Sequence, residues 1–271
     1  MTAHPFDLEA ADMPSPWEGR FYERIGSTSD EAISRVRAGE ITAPTLFLTD
    51  EQTAGRGRGR AAGSWSTNAG NLAVSFVHFP QSPVRDWPAL SYVAGLVLAR
   101  TLMDVCGFPD DSIRLKWPND AFVSGGKVAG LLLETATAPT GQQALVLGMG
   151  LNIETAPELD RPDYVARDLR ALGYDGPAKA VVLGLIHNWA EAVRRFDLDS
   201  GPRTQLFREW QSRALYLNEE INVRIDAENQ LRGQFIGLDE DTGALKLKMS
   251  NGEIQTVLAG DVMLHASSQS H

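Results

Sequence analysis

Residues 51–60 read Glu51-Gln52-Thr53-Ala54-Gly55-Arg56-Gly57-Arg58-Gly59-Arg60 and interleave three arginines with three glycines. They lie between two short apolar runs rich in strand-forming residues, Thr45 to Thr49 and Leu72 to His78. The segment is therefore predicted to join two strands at one edge or mouth of a sheet. Glycine gives such a loop the unusual dihedrals that it needs, and arginine supplies planar donors that match phosphate and carboxylate oxygens. The sequence predicts a small, anionic ligand.

Three other interpretations of this segment stay open at this point. A basic turn that is simply solvated would have the same composition. An arginine-glycine segment for single-stranded nucleic acid is usually longer, and this chain has a formal net charge of -10. A dinucleotide-binding fingerprint needs a third glycine two positions further on and a helix behind it, whereas Gly59 falls one residue early.

The composition is that of an ordinary globular protein. The 271 residues are 43% hydrophobic and 22% charged, which suits one large domain or one large and one small domain. No apolar run approaches the roughly 18 residues of a membrane span, and residues 1–17 lack the basic-then-apolar pattern of a signal peptide. We expect a cytoplasmic protein that engages neither a membrane nor nucleic acid.

The residue counts give no support to covalent catalysis or to a protein-bound metal. The single cysteine, Cys106, lies in the apolar run 102–106, so an internal disulfide is excluded and a buried apolar role is favoured. The five histidines are scattered without ligand spacing, and no serine lies in a nucleophile-elbow pattern. We predict no dedicated metal site.

Helices and strands are predicted along the rest of the first 216 residues. Residues 27–30 read as helix-capping residues. Helices are predicted after this cap up to Gly39, and at residues 88–105, 178–196 and 204–214. Further strands are predicted at residues 112–117, 127–135 and 142–153. These elements predict an α+β fold, with a mixed β-sheet and helices on at least one face.

The pattern changes from Glu220 to short alternating runs separated by turns. The runs are residues 221–225, 231–238, 244–249 and 253–258. This spacing predicts a small all-β module of about fifty residues, in keeping with a compact barrel. We place the domain boundary so that residues 1–216 form the first domain and residues 217–271 form the second.

Three further segments lead to a known family. They are Lys116-Trp117-Pro118-Asn119-Asp120, the run Gly125 to Glu134 that contains Gly-Gly-Lys-Val-Ala-Gly, and Gly148-Met149-Gly150-Leu151-Asn152-Ile153. With the arginine-glycine segment, and in this order, they resemble the catalytic domain of biotin protein ligase, the enzyme that joins biotin to a lysine of biotin-dependent carboxylases. The resemblance covers Ile25 to Ile153 strongly and the rest of the chain loosely.

This resemblance implies the class II synthetase-like fold of the biotin and lipoate ligases, followed by a small SH3-like β-barrel. Some members carry an N-terminal DNA-binding domain and act as repressors. Residues 1–24 are too few for that domain, so we expect the form that lacks it.

The resemblance also implies a two-step reaction. The biotin carboxylate attacks the α-phosphate of ATP to give biotinyl-adenylate and pyrophosphate, and the acceptor lysine then attacks the acyl carbon. Both steps need charge stabilisation more than a protein nucleophile. The implied substrates are biotin and ATP with Mg²⁺, and the implied partner is the biotin carboxyl carrier domain of a biotin-dependent carboxylase.

The family's functional residues fall on the quoted motifs. The implied catalytic residues are Arg56, Arg58 and Lys127, which would hold and neutralise the biotin carboxylate and the phosphates. The implied biotin-binding residues are Ser27, Thr28, Ser29, Gln52, Gly55, Arg56, Gly57, Arg58, Trp65, Lys127 and Gly130. The implied ATP-binding residues are Arg58, Arg60, Lys116, Asn119, Asp120, Lys127 and Asn152.

Several positions depart from the family's pattern. Ser29 stands where the family commonly has asparagine. The spacing from the arginines to Trp65 is longer than usual, which leaves the role of Arg60 open and leaves Trp65 open between a ligand wall and ordinary packing. Residues 164–169 differ from the commoner adenine-facing loop, so no adenine contact is assigned.

Two other functions remain as alternatives. A lipoate or octanoate ligase or transferase would share the fold class, but lipoate has no ureido ring to employ Ser27, Thr28 and Gln52. Octanoyl transferases generally need a cysteine nucleophile, for which Cys106 is poorly placed. A non-catalytic biotin sensor would hold biotin without consuming ATP.

Overall fold

The computed structural model describes residues 5–57, 65–67, 69–158, 164–199, 201, 203–226 and 228–264. Arg58 and Arg60, two of the residues predicted to bind ligand, lie outside these ranges. None of the described helices is both long enough and apolar enough to cross a membrane.

In the part of the chain that the structure describes, ten strands precede the C-terminal module. They are β1 (Glu18–Tyr22), β2 (Thr45–Thr49), β3 (Gln52–Gly55), β4 (Trp65–Thr67), β5 (Leu72–His78), β6 (Ile113–Lys116), β7 (Asp120–Val123), β8 (Gly126–Thr137), β9 (Gln143–Leu151) and β10 (Val165–Ala166). Eight of them form one sheet in the order β1-β2-β5-β9-β8-β7-β6, with β10 beside β8. The pairs β1–β2 and β8–β10 are parallel and the other pairs are antiparallel. The predicted mixed sheet is confirmed.

Among the described residues, four α-helices pack with this sheet or follow it in the chain. They are α1 (Thr28–Arg37), α2 (Leu90–Asp104), α3 (Ala178–Leu198) and α4 (Thr204–Ser212). The helix predicted from residue 88 begins as α-helix only at Leu90, because Pro88 lies in a 3₁₀ helix over Val84–Ala89. After α1 and α2, Gly39 and Gly107 take positive φ angles of 75° and 73°, a conformation that glycine adopts at a helix end without strain.

The central strands are buried on both faces. Along β2, Leu46 and Leu48 belong to the large core that includes α2 and α3, whereas Phe47 belongs to a smaller core with Ala32 and Val36 of α1. Strand side chains alternate between faces, so a strand covered on both sides needs a continuous apolar run. The sheet therefore has two covered faces, and α1, which carries predicted site residues, covers one of them.

The C-terminal module is a five-stranded antiparallel sheet in the order β14-β13-β12-β11-β15. Its strands are β11 (Glu220–Arg224), β12 (Gln230–Leu238), β13 (Leu245–Lys248), β14 (Ile254–Val257) and β15 (Asp261–Leu264). The predicted all-β module is confirmed, and β15 is an addition to the predicted runs. The module contacts α4, where Gln211 Oε1 accepts a hydrogen bond from the Leu238 amide at 2.8 Å. The division between residues 216 and 217 remains a proposal.

Candidate active site

The N-terminus of α1 carries three buried hydroxyl residues. Ser27 is the N-cap, and its Oγ accepts a hydrogen bond from the Asp30 amide at 3.2 Å. A serine in this position satisfies one of the amides that a helix leaves without an internal partner. Thr28 and Ser29 follow in the first turn, and all three are at most 7% exposed. Capping therefore accounts for Ser27, whereas the hydroxyls of Thr28 and Ser29 point to other partners.

Thr28 and Ser29 belong to a hydrogen-bonded cluster with Gln52 and Ser75. The Thr28 amide and Oγ1 lie 2.9 Å and 3.2 Å from Gln52 Oε1. Ser75 Oγ lies 2.8 Å from Thr28 Oγ1 and 2.9 Å from Ser29 Oγ. Ser75 was not among the predicted site residues. The available sign in the sequence was a hydroxyl in the middle of an apolar strand, which has no water to bond with when both faces are buried.

The arginine-glycine segment begins in the first strand of a two-stranded antiparallel pair. Strands β3 and β4 pair Gln52 with Thr67 and Gly55 with Trp65. Gln52 Nε2 donates to the Trp65 carbonyl oxygen at 3.4 Å. A Cβ added to Gly55 would lie 2.0 Å from Gln52 Nε2 and 2.1 Å from that carbonyl oxygen. Only glycine fits between these two groups.

The indole ring of Trp65 lies against glycines of the sheet. A Cβ on Gly150 would be 2.2 Å from Trp65 Cε2, and one on Gly130 would be 3.3 Å from Trp65 Cζ3. A Cβ on Gly148 would likewise be 2.6 Å from Ser29 Oγ. The three glycines keep this part of the sheet clear for the ring and the hydroxyl. Trp65 itself is only partly buried, so its other surface is available to a ligand.

Lys127 is enclosed by one carboxylate and two aromatic rings. Its Nζ lies 2.8 Å from Asp120 Oδ1, 5.8 Å from the Trp65 ring centroid and 5.2 Å from that of Tyr164. Burial lowers the pKa of Lys127, but the charge and hydrogen bonds of Asp120 and Tyr164 outweigh it, so the net pKa is raised. The ammonium therefore stays charged at neutral pH, as a group that neutralises an anion must.

A β-bulge in β8 decides where Lys127 points. The register with β7 shifts so that Val128 is an extra residue between the pairs formed on either side. Because strand side chains alternate, the extra residue brings Lys127 onto the same face as Gly130 and Glu134. Without it, the ammonium would lie on the opposite face, away from Trp65.

Arg56 is held by two carboxylates at the base of the predicted ligand loop. Its guanidinium makes two hydrogen bonds of 2.8 Å to Glu134 and approaches Asp30 of α1 at 2.7 Å. The hydrogen bonds to Glu134 are the main reason that the pKa of Arg56 is raised. Bidentate arginine–carboxylate pairs fix orientation, so this contact ties the end of β3 to α1 and β8. Gly57 ends the described part of the segment.

Two of the residues predicted to bind ATP, Lys116 and Lys127, lie against the ring of Tyr164. Lys116 Nζ is 5.2 Å from the Tyr164 ring centroid, which places Lys116 and Lys127 against the same ring. Asn119 Nδ2 donates to the Leu131 carbonyl at 2.5 Å, and Asn152 Nδ2 donates to the Arg167 carbonyl at 3.1 Å. Both asparagines thus hold neighbouring backbone in place. Tyr164 was noted in the sequence only as a departure from the family's pattern.

The site therefore has two chemically different ends on one face of the sheet. One end offers neutral hydroxyl and amide groups, and the other offers lysine ammonium groups beside a carboxylate. Among the described residues, no group of three or more histidine, cysteine, aspartate or glutamate side chains is placed to hold a metal. Burial raises the pKa of Cys106 to about 12, so its thiol is protonated at neutral pH and is a poor nucleophile. This arrangement suits the joining of a small acid to a phosphorylated partner.

Comparison with known proteins gives matches over both parts of the chain. Residues 21–152 match the family model described as "Biotin/lipoate A/B protein ligase family", and residues 216–264 match the one described as "Biotin protein ligase C terminal domain". A biotin–[acetyl-CoA-carboxylase] ligase from Paracoccus denitrificans is 36% identical over 88% of this chain and 97% of its own length. The enzyme of the same name from Mycobacterium tuberculosis is 31% identical over 89% of this chain and 86% of its own length.

A solved structure extends the match to three dimensions. The biotin protein ligase from Aquifex aeolicus in complex with biotin and ATP superposes with a TM-score of 0.74 at 26% identity, over 94% of this chain and 100% of that one.

Proposed function

This chain belongs to the biotin protein ligase family, and on that premise we propose that it activates biotin with ATP and transfers it to a lysine of a biotin carboxyl carrier domain. The observation that carries the proposal is the two-ended site described above. A biotin molecule has a neutral ureido ring at one end and a carboxylate at the other. The hydroxyl cluster of α1 suits the first, and Lys127 suits the second.

The ureido end rests on Ser27, Thr28 and Gln52. A ureido group has one carbonyl acceptor and two N–H donors, so it calls for side chains that combine donors and acceptors. Thr28 and Gln52 are at most 7% exposed and hydrogen-bonded to each other, which holds them in place before a ligand arrives. We place Ser29 and Gly55 beside them, with Trp65 and Gly130 along the body of the ligand.

The carboxylate end rests on Lys127, with Arg56 and Arg58. Two anions, the biotin carboxylate and the α-phosphate, must approach each other in the first step, and fixed cations lower the cost of that approach. Lys127 has a raised pKa and is directed by Asp120 and the two rings. The assignment of Arg58, and of Gly57 next to it, rests on the sequence pattern, as does that of Arg60 to the phosphates.

ATP is placed next to Lys127, towards Lys116 and Tyr164. We propose that magnesium enters with ATP as part of the substrate. Asn119 and Asp120 supply an amide and a carboxylate there, and Mg²⁺ is commonly held by one or two carboxylates together with substrate phosphates. Asn152 lies near the same end through its contact with the Arg167 carbonyl.

The properties of Cys106 argue against the alternative function of an octanoyl transferase. A cysteine-dependent acyl transfer needs a thiolate, whereas burial raises the pKa of this thiol to about 12. A lipoate ligase would leave the hydroxyl cluster without a matching ligand group, since the dithiolane ring has neither N–H nor carbonyl.

The test is an intact-mass assay of a purified biotin carboxyl carrier domain incubated with this protein, biotin and MgATP, with lipoate in a parallel reaction. We expect a biotin-sized mass gain that needs ATP. Lys127→Gln should reduce the rate by at least about a hundredfold, the scale on which removal of one charge-stabilising group acts. Lys179→Gln is the matched control, because Lys179 also pairs with an aspartate, Asp12 at 3.2 Å, on a different part of the chain.

A mass gain with lipoate alone would show that the protein is a lipoate ligase. Biotin binding without ATP consumption would show that it is a biotin sensor and not a ligase. Equal activity of the Lys127 and Lys179 variants would overturn the role given to Lys127.

A further inference from the structure

Ser75 is a fully buried hydroxyl that the proposed roles leave unexplained. It lies in the middle of β5, is 0% exposed, and sits between the hydroxyls of Thr28 and Ser29 at 2.8 Å and 2.9 Å. Directly across the sheet, its partner in β9 is Gly148. The missing side chain at Gly148 leaves room for Ser29 Oγ, which would be 2.6 Å from a Cβ there.

The direction of every hydrogen bond in this cluster follows from the two backbone contacts of the Gln52 side chain. The backbone N–H of Thr28 donates to Oε1 of the Gln52 side chain. The other end of that side-chain amide, Gln52 Nε2, donates to the Trp65 carbonyl oxygen. A backbone N–H can only donate and a carbonyl can only accept. The orientation of the Gln52 amide is therefore set by the backbone at both sides, and does not depend on how its nitrogen and oxygen are assigned.

From Gln52 the proton order runs back through the three hydroxyls. Thr28 Oγ1 must donate to Gln52 Oε1 at 3.2 Å, because that oxygen has no proton. Each hydroxyl has a single proton, so Ser75 must donate to Thr28, and Ser29 must donate to Ser75. The chain of hydrogen bonds is thus Ser29 to Ser75 to Thr28 to Gln52.

We propose that Ser75 is a positioning residue that, by donating to Thr28, holds the Thr28 hydroxyl in the orientation that this direction requires, and thereby makes the site selective for ligand heads that carry N–H groups beside a carbonyl. With its own proton committed to Gln52 and one lone pair engaged by Ser75, Thr28 can offer the ligand only a lone pair. Gln52 keeps its second N–H as a donor. The pair then recognises an N–H donor next to a carbonyl acceptor, and this inference rests on the proposed function, in which the ligand head is a ureido ring.

The identity of residue 29 fits this arrangement. Asparagine, which the family commonly has there, would offer both donor and acceptor groups and is longer than serine. In this chain the short Ser29 reaches Ser75 and spends its proton on it. The Ser29–Ser75 contact therefore keeps the Ser29 proton inside the cluster, so that it is not offered to the ligand.

The experiment measures biotin binding by calorimetry and steady-state kinetics of carrier biotinylation for Ser75→Ala, Ser29→Ala and the double variant. Ser75→Ala should weaken biotin binding about tenfold, with the KM for ATP and the kcat at saturating biotin within about twofold of the parent. Ser29→Ala should have a smaller effect, because Ser75 still donates to Thr28. The double variant should bind biotin no more weakly than Ser75→Ala, since the same chain of hydrogen bonds is broken in both.

A second ligand distinguishes an effect of hydrogen-bond direction from an effect of altered packing around Ser75. Biotin methylated on one ureido nitrogen lacks an N–H for Thr28, so the parent should bind it more weakly than biotin, and Ser75→Ala should show a smaller difference between the two. The control Thr45→Val removes another buried strand hydroxyl, one that bonds only locally to the Ala43 carbonyl at 2.9 Å, and should leave biotin binding unchanged.

The two failures are distinguishable. Absence of carrier biotinylation by the parent protein would refute the proposed function itself. An active parent combined with unchanged biotin affinity in Ser75→Ala would refute the inference alone, as would a loss that falls equally on ATP and biotin. If Ser75→Ala does not fold, Ser75→Cys, which has nearly the same shape but only a weak S–H donor, supplies the same comparison.

Discussion

Tyr92 of α2 links the C-terminal module to the turn between β6 and β7, which is flanked by Lys116 and Asp120. Its hydroxyl donates to the Gly243 carbonyl between β12 and β13, and it accepts a hydrogen bond from Trp117 Nε1 at 3.0 Å. Tyr92 and Trp117 are 7% and 2% exposed. The change Tyr92→Phe keeps the ring and removes the oxygen that joins the two parts.

The expected cost follows from the groups left behind. The Trp117 indole N–H and the Gly243 carbonyl each lose a buried partner, and an unsatisfied buried group costs about 1–3 kcal/mol. The ring still packs edge-on against Phe207 and Trp210, at centroid distances of 5.1 Å and 5.3 Å. We therefore expect a loss of about 3 kcal/mol in unfolding free energy, which corresponds to a fall in Tm of roughly 6–12 °C for a protein of this size.

The assay is chemical and thermal unfolding of Tyr92→Phe beside Tyr22→Phe. Tyr22 is a partly buried tyrosine whose hydroxyl is 3.4 Å from Glu31 Oε1, so its removal should cost less than about 0.5 kcal/mol. We also expect the KM for ATP to rise in Tyr92→Phe, because Trp117 adjoins Lys116. Equal stability of the two variants would refute the idea that this hydroxyl joins the module to the site.

Three further outcomes follow from single contacts. Gly150→Ala should abolish the seating of Trp65, since the new Cβ would lie 2.2 Å from the ring, and a change in tryptophan fluorescence together with weaker biotin binding would report it. Burial, opposed by Asp197, lowers the pKa of His78 below its ordinary 6.5. As the pH falls below about 6.5, the unfolded chain therefore binds a proton that the folded chain does not, and the free energy of unfolding should drop by up to about 1.4 kcal/mol per pH unit. The variant His78→Gln should flatten that slope. Cys106 is partly buried and its pKa is raised to about 12, so it should react with a thiol reagent at pH 8 much more slowly in the native protein than in denaturant; equal labelling rates would contradict this expectation.

The strongest local patterns in the sequence predicted the core of the fold. Strands β2 and β5 fall where residues 45–49 and 72–78 are mostly apolar or β-branched, because both faces of these strands are covered. By contrast, β1 was not predicted. Its residues are mostly half-buried and show no apolar alternation, and it exists because β2 offers a free edge for parallel pairing. Strand β10 has two residues and likewise depends on its neighbour β8.

The site was predicted as a set of residues but not as a network. Motifs identified Thr28, Gln52 and Lys127 because each lies in a recognisable segment. The partners of these residues lie far away in the chain: Ser75 is 47 residues from Thr28, and Glu134 is 78 residues from Arg56. Contacts of this kind arise from strand register and helix packing, which no local pattern of residue types encodes.

The β3–β4 hairpin has a consequence for how this chain can change during evolution. Trp65 is positioned by the pairing of Gly55 with Trp65 and of Gln52 with Thr67, so both ends of the intervening segment are anchored whatever its length. Loop closure becomes only slowly more costly as residues are added. Insertions between Arg56 and Trp65 should therefore be tolerated without displacing the indole ring. The long spacing between these residues in this chain is consistent with that tolerance. Strand β8 has no such freedom, because one residue gained or lost beside Val128 would turn Lys127 to the other side of the sheet.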